Sequence, residues 1–556
     1  MSWEKFLSEC QSLVKGMTGR VEIPPKESGA DLAFPCFPLA KEHKRSPHEI
    51  AKELEVKLSG KKFNLIKRIG AFGPYLNFYL DHEKFDPDVL SDILEKKQSF
   101  GAGKKNETVA IEFPGPNTNK PLHLGHIRNM TLGMSVSNIL KFAGFDVKNV
   151  DIINDRGVHI CKSMMAYQEF GEGKKPDKKS DHFVGDFYVL FAKKLEGKEG
   201  TEQKLRDMLV DWEKSDLKVR ALWKKMNGWA IEGMHETYKR FGVETDKAYF
   251  ESDHYLKGKD IVTNGLKKNI FTKDKEGNII IDLGEHGLGK RVLLRSDGTS
   301  IYITQDMALA AERFKDFKMD RMIYVVGEEQ KDHFRALFKI LEVLGYKFAE
   351  NCFHLSYGMV NLPEGKMKSR EGNVVDADDL MDEMHKIAEE KIKERNSELS
   401  GKPLADRAEK IGLAAIKYFI VKFDPNRPIT YDPKASIDFE GDTGPYLQYT
   451  YARANSILDK TNKKPKTSHL DEPIEQELVK KLSQFPSTIE KASEEYKPNT
   501  LANYIFDLAT IFNEFYHAER VVGHDKEEVR LALVQSVMIV IENGLKLLGI
   551  DVLKEM

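Results

Sequence analysis

Residues 109–142 read as strand, loop, helix, and little else can be made of them. Residues 109–113 are a short apolar run. Residues 127–142 carry Leu132, Val136, Ile139 and Leu140 at helical spacing and are closed by Gly144. The loop between them runs Pro116-Asn117-Thr118-Asn119-Lys120-Pro121-Leu122-His123-Leu124-Gly125-His126. A helix N-terminus offers free backbone N–H groups and the positive end of a dipole, which suits phosphate. His123 and His126 sit three apart at that end, with Gly125 between them allowing close approach to the backbone. Two imidazoles placed there donate hydrogen bonds to phosphate oxygens. Read alone, an H-x-x-H pair is as well explained by structure or chance. A zinc site is a poorer fit, since no third ligand stands nearby and helical zinc pairs are usually spaced i, i+4.

The rest of the composition narrows the class. A chain of 556 residues holds several domains. Net charge is −2 with 31% charged residues, so any nucleic-acid surface must be local. Met1-Ser2-Trp3-Glu4-Lys5 does not open a signal peptide, and no apolar run reaches membrane-spanning length, so a cytoplasmic protein is expected. Cys10, Cys36, Cys161 and Cys352 are scattered and form no C-x-x-C pair, which argues against structural zinc or a disulfide framework.

Taken in order, residues 1–105 read as a small α/β module: an amphipathic helix over 3–13, a second opened by Pro47 and running to Leu58, and short strands over 66–68 and 75–79. Residues 41–68 carry a basic excess that suits either RNA or plain solvation. Residues 106–404 form a parallel-sheet nucleotide fold, with its second strand over 147–153, later strands over 322–327 and 353–360, and a helix over 330–344. Residues of about 160–290 look like an insertion, helical over 204–241. Residues 291–304 read as two strands turned at Ser296-Asp297-Gly298, followed by a helix over 307–314. From 405 to 556 the chain is helical almost throughout, with periodic stretches over 405–423, 444–459, 475–496, 501–521 and 526–548.

The loop around His123 resembles the HIGH motif of class I aminoacyl-tRNA synthetases. The longer pattern Glu112-Phe113-x-x-Pro116-Asn117-x-x-Lys120-Pro121-x-His123-x-Gly125-His126 is similar to that of arginyl-tRNA synthetases. Gly365-Lys366-Met367-Lys368-Ser369-Arg370 resembles the family's KMSKS loop, except that its second lysine position holds Ser369. The resemblance covers nearly the whole chain. It implies a Rossmann-like class I catalytic domain, an N-terminal domain that contacts the outer corner of tRNA, and an all-α anticodon-binding bundle. The implied activity is ATP-dependent formation of arginyl-adenylate and transfer of arginine to the 3′ end of tRNA(Arg), by a monomer that needs tRNA before activation, with Mg²⁺ accompanying ATP.

The resemblance also distributes roles. Catalysis falls to His123, His126, Lys120, Lys366 and Lys368, with Lys120 standing in for the missing lysine. Pro116, Gly125, His126, Met359, Val360, Lys366, Met367 and Ser369 would meet ATP. L-arginine would lie among Glu112, Asn117, His123, Tyr302, Asp306 and Gln330. A guanidinium is planar, always charged and forked, so burying it calls for a carboxylate, which Tyr302-x-x-x-Asp306 supplies. Read alone, Asp306 is equally a helix cap. Tyr446, Gln448, Tyr449 and Arg453 would face tRNA, where tyrosines stack on splayed bases, although such tyrosines also serve as core. A cysteinyl enzyme would need thiolate zinc ligands, a small-molecule nucleotidylyltransferase would not need the outer modules, and an inactive paralogue would not need the intact histidines and Asp306.

Overall fold

The computed structural model describes residues 2–25, 28–298, 301–363 and 375–556. Five parallel strands form its central sheet: β1 (Thr108–Glu112), β2 (Asp146–Ile153), β3 (Lys247–Phe250), β4 (Arg321–Gly327) and β5 (Cys352–Tyr357). Their spatial order is β5-β4-β1-β2-β3. The chain thus starts in the middle, builds one side, and crosses back to build the other. The switch lies between β4 and β1, and a crevice at the carboxyl ends of such strands is where open α/β sheets bind ligands. Register places Glu112 opposite Tyr324 of β4 and Val150 of β2.

The helix after β1, α1 (Leu124–Phe142), is not amphipathic: 14 of its 19 residues are buried. A helix apolar or small on every side belongs inside a protein. Its close fit to the sheet depends on Gly133, where a Cβ would run into the Phe113 ring. The other helices that matter to the site are α2 (Ser180–Lys194), α3 (Leu217–Phe241), α4 (Tyr302–Phe317), α5 (Lys331–Val343), α6 (Ala377–Arg395) and α7 (Gly401–Val421). The last two pack lengthwise, Gly412 of α7 lying 3.0 Å, measured to its ideal Cβ, from the backbone of α6.

Five expectations change. Among the described residues of the hairpin expected over 291–304, the strand is Lys290–Leu294, paired with Ile279–Asp282; α4 already starts at Tyr302. The β-branched residues Ile301, Ile303 and Thr304 suggest a strand, but Ile303, Thr304, Met307 and Ala310 fall on one buried helical face. The strand expected over 353–360 breaks at Gly358, whose N–H donates to the Pro425 carbonyl at 3.0 Å; Val360–Asn361 pairs instead with Ile429–Thr430. Two expected helices are each two. Residues 204–241 divide into Thr201–Glu213 and α3, capped by Asp216, and residues 475–496 divide into Pro473–Ser483 and Phe485–Glu495, restarted by Pro486. The stretch expected as an insertion also contains β3, the edge strand beside β2, so it is built into the sheet and not merely hung from it.

At the N-terminus a three-stranded antiparallel sheet, Leu32–Pro35, Tyr75–Leu80 and Ile66–Phe72 in that spatial order, carries helices Ser2–Leu13, Phe37–His43 and Pro47–Ser59. Its apolar side, with Phe34 and Phe78, runs without a break into that of the C-terminal helices Gly444–Leu458, Pro473–Ser483, Pro498–Ala518 and Glu527–Leu547. Lys480 meets Asp31 across the seam at 3.1 Å. No helix of the described residues is long and apolar enough to cross a membrane.

Because α1 is enclosed, Gly133→Ala is expected to overpack its seat on Phe113 and to destabilise the fold by about 1–3 kcal/mol, as read from thermal unfolding.

Candidate active site

A cavity of about 960 Å³ opens at the carboxyl ends of the central strands. Glu112, Asn117, His123, Gly125, His126, Tyr302, Asp306, Gln330, Met359 and Val360 all line it. Residues as far apart in sequence as Glu112 and Val360 are therefore brought together by the sheet. Pro116 is buried just behind the wall, where its carbonyl accepts from the Asn154 N–H at 2.9 Å. Lys120 lies partly exposed beside the histidines. Lys366, Met367, Lys368 and Ser369 fall outside the described residues.

The two histidines form a reciprocal cap at the start of α1. His123 is the N-cap of α1, and its Nδ1 accepts from the Gly125 N–H at 3.1 Å. The His126 Nδ1 accepts in turn from the His123 N–H at 3.1 Å. A backbone N–H only donates, so each Nδ1 must be unprotonated and each neutral ring carries its proton on Nε2. Gly125 is required by this arrangement, since a Cβ there would meet the His123 ring at 2.9–3.0 Å. Burial, helped by the charge of Lys120, pushes His123 down to about 4. Burial, with His123 and Lys120, holds His126 well below its ordinary value. Both rings are neutral single donors at pH 7.

Several side chains that carry no motif hold this loop. Arg128, fully buried on α1, donates to the carbonyls of Met359 at 3.1 Å and of Pro425 and Arg427 at 2.8 Å each. It ties α1 to the segment that follows β5. Asn129 donates to the Val325 carbonyl at 2.6 Å and to the Tyr357 hydroxyl at 3.2 Å. From the inserted helix α3, Asn227 accepts from the Thr118 hydroxyl and donates to the Asp155 carbonyl at 3.2 Å. An arginine two residues beyond a histidine motif, in a largely apolar helix, is the signal that finds Arg128 in the sequence.

The far wall is acidic. Asp306 lies in the second turn of α4, whose N-cap is Ile301, so it does not cap that helix. It is instead held by His333 of α5, Nε2 to Oδ2 at 2.6 Å, with its carboxylate about one-third exposed to the cavity. Gln330 and Tyr302 are exposed beside it. Glu112, at the end of β1, is paired with the buried guanidinium of Arg313 from α4. Burial raises the Glu112 carboxyl above its usual range, and Arg313 opposes that shift. Burial likewise works against the charge of Arg313, but Glu112 more than compensates. Among the described residues that line the cavity, Glu112, Asp306 and Glu329 are acidic and none is lysine or arginine. This side fits a cationic ligand.

The residues expected to face tRNA differ among themselves. Gln448 is fully buried, donating to the carbonyls of Asp551 at 2.7 Å and Lys410 at 3.3 Å, so it is structural and not a tRNA contact. Tyr446 accepts from Asn513 at 2.9 Å and is half-buried. Arg453 stacks between the rings of Tyr449 and Tyr516, at 4.7 and 4.5 Å, leaving these three partly exposed together.

Comparison with known proteins identifies the arrangement. Residues 89–431 match the family "tRNA synthetases class I (R), catalytic domain", residues 447–556 the DALR anticodon binding domain, and residues 4–80 the arginyl tRNA synthetase N terminal domain. The chain belongs to the arginyl-tRNA synthetases. It is 46% identical to an arginine–tRNA ligase of Treponema denticola, over 100% of this chain and 99% of that protein. It is 42% identical to that of Treponema pallidum over 98% and 96%. The solved arginyl-tRNA synthetase of Thermus thermophilus superposes with a TM-score of 0.84 at 27% identity, each chain covered in full.

In this synthetase the histidines stay neutral when folded but titrate near pH 6.5 when unfolded. Between pH 6.5 and about 4 the unfolded chain therefore binds more protons, and stability falls as pH falls through that window. His123→Asn, which keeps an acceptor for the Gly125 N–H, should weaken that dependence by about 1–2 kcal/mol between pH 6.5 and 5. Urea midpoints measured across the range for both proteins check it.

Proposed function

We propose that in this arginine–tRNA ligase the two walls of the cleft divide the first chemical step between them. The ligase uses ATP to form arginyl-adenylate and pyrophosphate, and a ribose hydroxyl at the tRNA 3′ end, the 2′ in this class, then attacks the activated carbonyl. The observation that carries the division is the opposition of an acidic wall at Asp306, Glu112 and Glu329 to a neutral wall of Nε2–H donors at His123 and His126. A guanidinium needs carboxylates, and phosphates need donors. Asp306, oriented by His333, takes the guanidinium with Tyr302 and Gln330. Glu112 keeps lone pairs free for the α-amino group while Arg313 holds it in place, and Asn117 takes the carboxylate end. Adenine lies against the backbone of Gly358, Met359 and Val360.

The phosphates need more positive charge than the histidines supply. Lys120 stands beside them, close enough to depress both, and Lys366, Lys368 and Arg370 complete the set. Mg²⁺ enters with ATP. The N-terminal module and the partly exposed Tyr449–Arg453–Tyr516 stack serve tRNA, and the enzyme works as a cytoplasmic monomer.

The reading is tested by charging total tRNA with each amino acid in parallel; only arginine should be esterified. Asp306→Asn should leave ATP binding intact and raise the arginine KM on the order of a hundredfold, the lower end of the cost of stranding a charge, because the carboxylate is partly exposed. Lysine used as efficiently as arginine would remove the assignment of Asp306.

The sequence of events is tested separately. With Ser369 in place of a lysine, the phosphate site is short of one cation, and tRNA docking is proposed to select its productive form. Pyrophosphate exchange should be negligible without tRNA and strong with it, and Lys120→Ala should abolish it in both. Brisk exchange in RNA-free buffer refutes a tRNA-first order.

A further inference from the structure

The loop that carries His123 is fixed to a second segment far along the chain. Residues 122–124 and 375–377 form a short ladder: the Leu124 N–H donates to the Val375 carbonyl at 2.9 Å, the Ala377 N–H to the Leu122 carbonyl at 3.0 Å, and His123 is bridged to Asp376. Asp376 is also the N-cap of α6, accepting from the N–H groups of Asp378 at 2.8 Å and Asp379 at 3.2 Å. The start of α6 and the start of α1 are thus one unit.

That unit is gripped from the other side by the insertion. Lys179, just before α2, donates from one ammonium to Asp181 at 2.9 Å, to Asp378 at 2.7 Å and to the Thr237 hydroxyl of α3 at 2.7 Å. His182 of α2 reaches Asp378 at 3.0 Å and Asp376 at 3.6 Å. Thr237 donates to Asp378 at 3.2 Å. Asp181 is fully buried, and the side chains of Lys179, His182, Asp376 and Asp378 are no more than one-fifth exposed. Three carboxylates set this close need countercharge. Lys179 places two of its three donors on Asp181 and Asp378 and the third on Thr237, and burial, which works against a charged His182, is outweighed by Asp378, Asp376 and Asp181. Asp181, His182 and Asp378 have the ligand types of a metal site, but the ammonium of Lys179 already sits on both carboxylates.

We propose that Lys179 and His182 are positioning residues for adenylate formation: by holding Asp378 and Asp376 they set the 122–124/375–377 ladder and, through it, the His123 donor. Neither residue lines the cleft. The route is continuous and short, from ammonium to carboxylate to capped backbone to the His123 backbone. A small displacement of a reacting group from a change outside the site is enough to slow chemistry strongly. This inference rests on His123 acting in adenylate formation.

The test is a double-mutant cycle between Lys179→Met and His123→Asn, read as pyrophosphate exchange with tRNA present. Lys179→Met should lower kcat about ten- to a hundredfold through misplacement, with the arginine KM, set at the distant Asp306 wall, changed by no more than about twofold. In the His123→Asn background the same change should cost less than about twofold, because the group it positions is already gone. Lys179→Arg, which keeps the charge, should restore most of the rate. His182→Gln runs through the same cycle and carries the test if Lys179→Met does not fold. Multiplying effects, or full activity in the folded single variants, overturn the proposal. An inert His123→Asn instead overturns the role of His123 itself.

Discussion

A helix buried on every side is the constraint from which the rest of the architecture follows. Helix α1 has the sheet on one side and α7 on another, and its far end reaches the helices of the C-terminal bundle; Ile139 and Ala143 belong to the apolar cluster shared by the outer modules, while Leu124 to Val136 belong to that of the catalytic domain. Ser135 and Ser137 are buried in it, the latter bonded to Asn149 at 2.7 Å. An enclosed helix has a fixed axis, and a fixed axis gives its first turn a fixed place. The reciprocal histidine cap is therefore supported from behind by the hydrophobic interior, where one methyl group at Gly133 has no room.

Charge explains what packing leaves open. Two arginines of the catalytic domain are spent near the cleft before any ligand arrives: Arg128 on three carbonyls and Arg313 on Glu112. Burial drags Arg128 down to about 10, still far above neutral pH, so it remains a cation that bridges α1 to the segment after β5. Neither arginine is available to phosphate. This leaves a cleft whose described walls are acidic or neutral, an arrangement suited to recognising a guanidinium.

Much of this is legible in the sequence, for identifiable reasons. Strands β1 and β4 are largely buried and announce themselves as apolar runs; a loop rich in proline, asparagine and glycine ends in a helix that must start where the histidines are. The acidic wall is readable because a guanidinium leaves few chemical choices. What escapes is decided by tertiary contacts. Ile301, Ile303 and Thr304 favour a strand locally, yet only Ile301, the N-cap, stays extended, and Ile303 and Thr304 are helical because one face of α4 packs under the sheet. Gln448 lies among tyrosines on a helix and looks exposed, but two backbone carbonyls draw it inward. The partners of Asp378, Arg313 and Asp306 lie 27 to 201 residues away, and spacing alone carries no trace of such pairs.

The inserted helices bear on how the modules act together. Because β3 returns to the sheet after α3, the insertion is pinned at both ends and cannot move as a pendant lobe. Its inner surface places Asn227 on the 118–155 loop pair and Lys179, His182 and Thr237 on the start of α6. Helix α6 packs on α7, and α7 runs on to the C-terminal bundle, where Gly444 approaches Ala414 too closely for any side chain. The N-terminal module joins that same bundle through a common apolar core. Every module that meets tRNA in the reading proposed above thus connects to the first turn of α1 through packed elements or ion pairs, with no flexible linker in the path among the described residues. The histidine pair sits where those connections meet, so its placement records the state of the whole molecule and not of one loop.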